Sequence, residues 1–350
     1  MSNGRTVPTR SHGLEQTGAA GHGAPQVELG DPELTARIDE AMAKVEELLG
    51  EELSSGADFL VDKVTHLTRA GGKRFRPMFA LLASEYGSRP LSGDVIRAAT
   101  VVEITHLATL YHDDVMDEAT MRRGVPSANA RWGNSVAILA GDILLARASK
   151  VMSELGTETV AHFAETFGEL VTGQMRETVG PQGGDPIQHY MDVIREKTGV
   201  LIASAGFLGA THGGATTDQI RALQRFGSAI GMIFQIVDDM IDIFSDSRES
   251  GKTPGTDLRE GVFTLPVLYA MREDNEIGRE LRGILTGPIE DDATVEHVLD
   301  LLARSGGREK ALADVHHYMD LAEEELARLP ENSVTEALRN LAAYTVRRVG

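Results

Sequence analysis

Two short acidic clusters with the same spacing are the residues best suited to chemistry. They are Asp113-Asp114-Val115-Met116-Asp117 and Asp238-Asp239-Met240-Ile241-Asp242, and each follows a strongly apolar stretch. On a helix the first and last aspartates of such a cluster are one turn apart, and the second is about 100° round. We therefore expect the three carboxylates of each cluster to converge on one rim.

Closely spaced carboxylates repel one another and need a compensating cation. Hard oxygen ligands suit Mg²⁺, which keeps several waters and completes its shell with phosphate oxygens. A solvated acidic face is the alternative, but it gains nothing from lying beside the buried-looking runs VVEITHLATLY and AIGMIFQIV. The predicted metal ligands are Asp113, Asp114, Asp117, Asp238, Asp239 and Asp242.

Basic residues beside turns or glycines indicate a phosphorylated substrate. The segments are Gly71-Gly72-Lys73-Arg74-Phe75-Arg76-Pro77, Arg122-Arg123-Gly124 and Lys197-Thr198-Gly199, together with Lys252. Guanidinium groups bind phosphate oxygens bidentately, so these segments suit diphosphate anchors. Each is by itself an ordinary surface cation, and His106 alone is more typical of a core histidine; only the combination with the acidic clusters favours a site.

The elements that carry these residues are predicted to be helices. Residues 33–49, 95–119 and 135–155 have apolar side chains at spacings of three and four, whereas alternating β-branched runs are scarce. Glycine pairs at 71–72, 183–184, 213–214 and 306–307 fall between the helical patterns. The sequence predicts an all-α bundle.

Composition favours one globular domain preceded by a tail. The 350 residues are 41% hydrophobic and 25% charged, which supports a substantial core. Residues 1–30 are rich in Gly, Ser, Thr and Pro without periodicity, so we expect a flexible tail there and one catalytic domain over residues 31–350.

Charge and residue usage exclude several classes of function. A formal net charge of -19, from 34 basic and 53 acidic residues, argues against nucleic acid or an anionic membrane surface as the main partner. Without cysteine there are no disulfides, zinc thiolates or cysteine nucleophile. Since no segment reaches the apolar length of a leader or a membrane span, we expect a soluble, cytoplasmic protein without stable membrane insertion.

From about Pro32 to the C-terminus the chain resembles the trans-isoprenyl diphosphate synthases, the polyprenyl synthetase family. The resemblance rests on GGKRFRP at 71–77, EITHLATLYHDDVMDEATMRRG at 103–124, AGDILLARA at 140–148, EKTG at 196–199, FQIVDDMID at 234–242 and GKTPGTDLREGVFTLP at 251–266. It implies an all-α isoprenoid synthase fold around a deep central cavity, a homodimer, and about three Mg²⁺ ions per active site with diphosphate bound.

The resemblance also implies roles for particular residues. Those expected to hold the diphosphate of isopentenyl diphosphate are Lys73, Arg76, His106 and Arg123. Those expected around the allylic diphosphate are Arg122, Lys197, Thr198, Gln235 and Lys252. Asp113, Asp117 and Asp238 would be the principal metal ligands, and together with Lys197 they form the expected catalytic set.

The implied reaction is head-to-tail addition of isopentenyl diphosphate to an allylic diphosphate. A class I terpene cyclase is disfavoured for two reasons. The second metal motif of such cyclases resembles N-D-x-x-S-x-x-x-E, whereas this chain has Asp238-Asp239-x-x-Asp242. A cyclase also has no second diphosphate to hold, although this chain retains GGKRFRP. The alternative that is not an enzyme by itself is a non-catalytic subunit of a heteromeric synthase.

Product length is predicted from the residues before the first acidic cluster. In the resembling family a bulky aromatic at the fifth position upstream stops elongation, but Ala108 and Thr109 are both small. Because small side chains leave the path open, we expect an all-trans product of about C30 to C50, typical of a quinone side chain. Geranylgeranyl or farnesyl diphosphate is the alternative product.

Overall fold

The computed structural model describes residues 28–244 and 254–347, and almost every element in them is helical. The helices of the N-terminal half are α1 (Pro32–Ser54), α2 (Asp58–Val64), α3 (His66–Arg69), α4 (Phe75–Ser84), α5 (Gly93–Met116), α6 (Ala128–Trp132), α7 (Asn134–Ser153) and α8 (Thr157–Val179). They are followed by α9 (Pro186–Ile194), a π-helix (Arg195–Gly199), α10 (Val200–Gly213) and α11 (Thr217–Phe244).

The C-terminal helices are α12 (Thr256–Glu260), α13 (Leu265–Met271), α14 (Glu276–Ile284), α15 (Asp292–Arg304), α16 (Gly307–Leu326) and α17 (Ser333–Val346). Two short strands, β1 (Met121–Arg122) and β2 (Val125–Pro126), pair antiparallel just after α5.

Local sequence signals explain where the helices begin. The side chain of Asp31 accepts hydrogen bonds from the N–H groups of Glu33 and Leu34 at 2.8 and 3.2 Å, with Pro32 at the first helical position of α1. Such an N-cap stabilises a helix by about 1 kcal/mol. Ser92 caps α5 in the same way.

The long helix α5 lies in the middle of the bundle. Apolar residues are buried on all of its sides, because α1, α4, α7 and α10 surround it. One core cluster packs among α1, α4, α5, α10, α11, α16 and α17, and a second fills the space between α5 and α7. A third joins the end of α11 to α12 through α15. The carboxyl end of α5, which carries the first acidic cluster, is therefore held rigidly.

The all-α prediction is confirmed, and the three predicted helical segments correspond to α1, α5 and α7. Leu29 is 4% exposed and belongs to the main core, so packing begins slightly before the predicted boundary at residue 31. Residues 1–27, the bulk of the predicted tail, lie outside the described residues. In the part of the chain that the structure describes, no helix is long and apolar enough to cross a membrane.

Candidate active site

A deep cavity of about 1770 Å³ lies between α4, α5, α8, α9 and α11, with α12 and α13 on its C-terminal side. Most of the predicted site residues line it: Lys73, Arg76, His106, Thr109, Asp113, Asp117, Arg122, Arg123, Lys197, Thr198, Gln235, Asp238 and Asp239. The fold thus brings both acidic clusters and three basic segments to one space. Lys252 lies outside the described residues.

The helix α5 ends inside the first acidic cluster. Asp117 takes the C-cap position, and its N–H donates to the carbonyl of Asp113 at 2.8 Å, so both carboxylates share the cavity face. Asp114 has no exposed surface and accepts a hydrogen bond from Nε of Arg122 at 2.6 Å. The prediction that all three carboxylates share one rim is wrong for Asp114, because a rotation of about 100° carries it away from the cavity.

The pKa of Asp113 is raised to about 6, chiefly by burial; the positive charge of Lys197 opposes the shift and the negative charge of Asp117 adds to it. Burial raises the pKa of Asp117 as well. A carboxylate is destabilised in this way when its charge is poorly compensated. The cavity face of α5 is therefore suited to a cation.

Removing the charge of Asp113 is expected to stabilise the metal-free protein. Because its pKa of about 6 exceeds the ordinary value of 3.8, ionisation costs folding free energy that grows as pH rises through this interval and is full above it. Asp113→Asn should raise the unfolding temperature by roughly 1–3 °C at pH 8, and by less at pH 5. Calorimetry in EDTA, with Asp39→Asn on α1 as control, measures this; an unchanged or lower unfolding temperature at pH 8 would refute it.

The second acidic cluster lies within α11. Asp238 lines the cavity. The carboxylate of Asp242 instead accepts hydrogen bonds from the backbone N–H groups of Thr256 and Asp257 at 3.3 and 3.2 Å, so it caps α12. Asp242 is also not among the residues that line the cavity, so its predicted role as a metal ligand stays a prediction without support from this geometry.

Asp239 also has protein partners on both oxygens. The hydroxyl of Tyr190 donates to Oδ2 at 2.5 Å, and Nε2 of Gln235 donates to Oδ1 at 2.8 Å. Burial raises the pKa of Asp239 to about 7, although these two hydrogen bonds lower it. Both carboxylate oxygens of Asp239 thus have a hydrogen-bond partner in the protein, and its place in a metal cluster stays a prediction.

The remaining donors fit a divalent cation. Within the described ranges, no three His, Cys, Asp or Glu side chains form a ready-made metal cage. Mg²⁺ is commonly held by one or two carboxylates, with phosphate oxygens and water completing its shell. Asp113 and Asp117 on α5 and Asp238 on α11 supply such oxygens at the cavity wall.

A group of cations lies beside α4. The pKa of Arg76 is lowered to about 10, chiefly by burial; the charge of Glu103 opposes the shift and that of Arg123 adds to it. The buried Nε of Arg76 has no hydrogen-bond partner among the described residues. Burial and the charges of Arg76 and Arg123 lower the pKa of His106 well below its ordinary value, so its imidazole is neutral at pH 7. Concentrated positive charge with an unsatisfied N–H suits an anion.

Two acidic side chains hold the loop before α4. Arg74, with φ of 48°, donates to Glu46 at 2.5 Å and to the buried Glu103 at 3.0 Å. Arg74 lines the cavity together with Lys73 and Arg76, but its guanidinium is already paired with two carboxylates. A buried charge keeps its position best when it is paired in this way.

Arg123 is presented by a tight hairpin turn. Arg123 and Gly124 have φ values of 53° and 77° between the paired strands β1 and β2, which is typical of a type I′ turn. The guanidinium Nη1 of Arg123 donates to the carbonyl of Leu67 at 3.0 Å and to that of Gly71. The hairpin therefore ties Arg123 to the loop that carries Lys73.

Lys197 and Thr198 lie on the π-helix, a local expansion of the helical turn that is frequent at functional sites. A Cβ at Gly173 of α8 would lie 2.7 Å from the backbone N of Lys197, so only glycine permits this close contact. One turn further along α8, Arg176 makes two hydrogen bonds of 2.9 and 3.1 Å to Glu196. Helix α8 thus fixes the π-helix from one side.

Lys197 interacts with three carboxylates. Its ammonium donates to Glu177 at 2.5 Å. Burial lowers its pKa, but the charges of Glu177, Asp113 and Asp117 outweigh this, so the net pKa is raised and Lys197 is charged. A cation at this place can bind a phosphate group that is also bound to a metal on the aspartates.

The two residues predicted to control product length differ in position. Thr109 lines the cavity, whereas Ala108 has no exposed surface and packs in the second core cluster. The prediction for Ala108 as a wall of the path is therefore not supported. On α5, Thr109 is one turn before Asp113 and shares its face, but Ala108 is rotated by about 140° from Asp113.

Sequence reasoning missed several acidic and hydroxyl groups at the cavity. They are Glu103, Glu177, Tyr190, Asp257 and Glu260. Burial raises the pKa of Glu260, and so do the charges of Asp117 and Asp242, which puts it near both acidic clusters. Nothing in the spacing of these residues distinguishes them from surface positions, although Glu103 and Glu177 lie within otherwise informative segments.

Comparison with known proteins agrees with this geometry. The sequence profile of the family described as polyprenyl synthetase matches residues 57–302. A nonaprenyl diphosphate synthase of Mycobacterium tuberculosis is 51% identical over 93% of this chain and 97% of the relative. Component 2 of a heptaprenyl diphosphate synthase from Geobacillus stearothermophilus is 37% identical over 89% of this chain and 97% of the relative.

A solved structure is also close. The geranylgeranyl pyrophosphate synthase of Corynebacterium glutamicum, crystallised with calcium and isoprenyl diphosphate, is 74% identical with a TM-score of 0.86 and covers 93% of this chain and 100% of its own. The helical fold and its cavity with two aspartate clusters are consistent with the matched family. The chain therefore belongs to the polyprenyl synthetase family and is a trans-prenyl diphosphate synthase.

Proposed function

We propose that this enzyme uses Mg²⁺ to condense isopentenyl diphosphate head to tail with an allylic diphosphate, giving a long all-trans polyprenyl diphosphate. The observation that carries the proposal is one cavity lined by two acidic clusters and by two separate groups of cations. One group would hold each diphosphate. The pure protein is incubated with both substrates, either with Mg²⁺ or with EDTA, to test this proposal. We expect both substrates to be consumed with Mg²⁺ and neither to be consumed with EDTA.

The allylic diphosphate is proposed to bind between the acidic clusters. Asp113, Asp117 and Asp238 would hold Mg²⁺, which supplies Lewis-acid stabilisation of the departing diphosphate. Lys197 would donate hydrogen bonds to oxygens of this diphosphate. Arg122 also lines the cavity and would lie beside the diphosphate. Lys252 stays a prediction for the same group.

Isopentenyl diphosphate is proposed to bind at the cations beside α4. The unsatisfied Nε of Arg76 and the positive charges of Lys73 and Arg123 favour a diphosphate there. The neutral His106 can donate one ring N–H to a phosphate oxygen. This separation lets one cavity hold two anions without their sharing ligands.

The reaction then needs no protein nucleophile. The allylic C–O bond breaks with its electron pair leaving on the diphosphate, and the double bond of isopentenyl diphosphate attacks the resulting allylic cation. A proton lost from the adduct passes to the released diphosphate, which restores a double bond. Apolar side chains at the cavity, including Leu110 and the Phe75 and Phe234 rings 5.9 Å apart, exclude water that would quench the cation.

The alternatives have less support. Both acidic clusters and the cations beside α4 are intact, whereas a terpene cyclase has no second diphosphate to bind. A non-catalytic subunit would need a catalytic partner, so turnover by the pure chain alone would exclude it. No turnover until a second subunit is added would instead favour it.

We propose a product of about C30 to C50, because the cavity wall one turn before Asp113 carries the small Thr109 and not an aromatic ring. The 51% identical relative named for nonaprenyl diphosphate supports this proposal. The 74% identical structure named for geranylgeranyl pyrophosphate supports the C20 alternative. Because these two relatives are named for products of different length, the chain length of the product needs a separate test.

Replacing Thr109 by Phe is expected to shorten the products to about C20, one addition beyond the farnesyl primer, because the added ring blocks the path next to Asp113. Ala108→Phe is the matched comparison, and since Ala108 packs in the core it should lower stability more than it changes chain length. The measurement is chain length after incubation with farnesyl diphosphate, excess isopentenyl diphosphate and Mg²⁺, followed by dephosphorylation. Wild-type products that end at C20, or unchanged products from Thr109→Phe, would contradict the proposal.

We also propose a homodimer that covers α7 and α8. Leu139 on α7 and Met175 on α8 are 60% and 61% exposed, and Val171, Met175 and Val179 share one face of α8. Leu139→Glu should convert a dimer to a species of one chain mass in light scattering, because it buries an unpaired charge. Phe59→Glu on α2, where Phe59 is 68% exposed, is the control. A monomeric wild-type protein would rule the dimer out.

A further inference from the structure

The second acidic cluster contains a hydrogen-bonded chain that its sequence pattern does not predict. Tyr190 donates to Asp239 at 2.5 Å, Asp239 accepts from Nε2 of Gln235 at 2.8 Å, and the hydroxyl of Thr198 donates to Oε1 of Gln235 at 3.1 Å. The chain connects α9, α11 and the π-helix. Gln235 and Thr198 both line the cavity.

This chain fixes which end of the Gln235 amide faces which way. Nε2 of Gln235 is turned to Asp239 and Oε1 to the hydroxyl of Thr198, because an accepting carboxyl oxygen selects the NH₂ end of the amide. The carbonyl oxygen then necessarily points towards Thr198. Since the two ends of an amide have nearly the same shape, packing alone would not distinguish them.

We infer that Asp239 is a positioning residue for Gln235 and not a metal ligand. Tyr190 holds the carboxylate, and the carboxylate turns the partial negative charge of the Gln235 oxygen to the side of the cavity where Lys197 and Thr198 lie. This inference rests on the proposed function, in which the allylic group ionises on that side. An oriented carbonyl dipole there favours the developing positive charge without a cost in reorganisation.

Two substitutions of Asp239 separate the two roles. Leucine has a similar shape but offers no acceptor, so Asp239→Leu should lower kcat about 10- to 100-fold while each KM changes by less than about threefold. Asp239→Asn keeps an oxygen for Gln235 and can donate its NH₂ to Tyr190, so it should restore kcat to within about threefold of wild type. Circular dichroism checks that each variant is folded.

A double-mutant cycle tests whether Asp239 acts through Gln235. Gln235→Leu should lower kcat about as much as Asp239→Leu, and the double variant should be no slower than the slower single variant. If the two losses multiply, Asp239 acts by another route. If Asp239→Asn is as impaired as Asp239→Leu, the negative charge itself is required and the inference fails.

Metal binding is measured separately from turnover. Calorimetric titration of Mg²⁺ into protein saturated with farnesyl thiolodiphosphate, which reacts very slowly, should give nearly the same affinity for Asp239→Asn as for wild type. Asp238→Asn is the matched control and should weaken Mg²⁺ binding at least tenfold. Equal losses in both variants would make Asp239 a metal ligand. A wild-type protein that binds Mg²⁺ and the analogue but forms no product would refute the proposed function alone.

Discussion

Asp113→Ala and Asp238→Ala are each expected to lower kcat by about three orders of magnitude or more. Each carboxylate lines the cavity and is proposed to hold Mg²⁺ against the departing diphosphate. That stabilisation is greatest as negative charge develops on the leaving group, so its loss appears in kcat.

The control for these variants is Asp39→Ala, an exposed aspartate on α1 that is remote from the cavity. Its turnover should match that of wild type, and the helical circular dichroism of all three variants should be nearly unchanged. Near-normal turnover of Asp113→Ala or Asp238→Ala with saturating Mg²⁺ would show that the corresponding acidic cluster has been assigned wrongly.

The second large effect separates the two diphosphate sites. Arg76→Ala or Lys73→Ala should weaken isopentenyl diphosphate binding about 10- to 100-fold and change binding of the allylic substrate little, because a charge-assisted hydrogen bond contributes about 1.5–3 kcal/mol. Lys197→Ala should do the reverse, since its ammonium lies near Asp113 and Asp117.

Calorimetric titration with isopentenyl diphosphate and, separately, with Mg²⁺ and farnesyl thiolodiphosphate measures both affinities. Lys44→Ala, which removes an exposed ion pair on α1, is the control and should bind both ligands normally. If each site variant lost both ligands equally, the division of the cavity into two anion sites would be incorrect.

Sequence alone could predict the helices and the general location of the site. The apolar spacing of α1, α5 and α7 is decided by local periodicity, and Asp113, Asp117 and Asp238 follow from their positions on buried helices. These features depend on residues close in the chain, so the pattern contains the information. The aspartate clusters then indicate a metal ion, and the basic segments indicate a phosphorylated substrate.

The roles of the other aspartates could not be predicted from their spacing. Asp114 on α5 accepts a hydrogen bond from Arg122 on the following hairpin. Asp242 caps a helix that begins fourteen residues later. Asp239 binds Tyr190 from a different helix. Each partner reaches its place only through tertiary packing, so a repeated D-D-x-x-D pattern alone does not show which contacts each carboxylate makes.

The buried position of Ala108 could not be predicted for a related reason. A position counted along the chain becomes a cavity wall only if the helix turns it towards the cavity, and on α5 that is true of Thr109. The π-helix that carries Lys197 also depends on contacts from α8, at Gly173 and Arg176, which no local periodicity indicates.

Isotopic labelling shows whether the enzyme joins the two substrates head to tail. An allylic diphosphate labelled with ¹³C at C1 and isopentenyl diphosphate labelled with ¹³C at C4 are incubated with the pure protein and Mg²⁺, and the product is examined by NMR. Head-to-tail condensation should give a one-bond ¹³C–¹³C coupling between the two labels, and this coupling should be absent when EDTA is added. A product in which the labelled carbons are not bonded, or cyclised allylic substrate without incorporation of isopentenyl diphosphate, would contradict it.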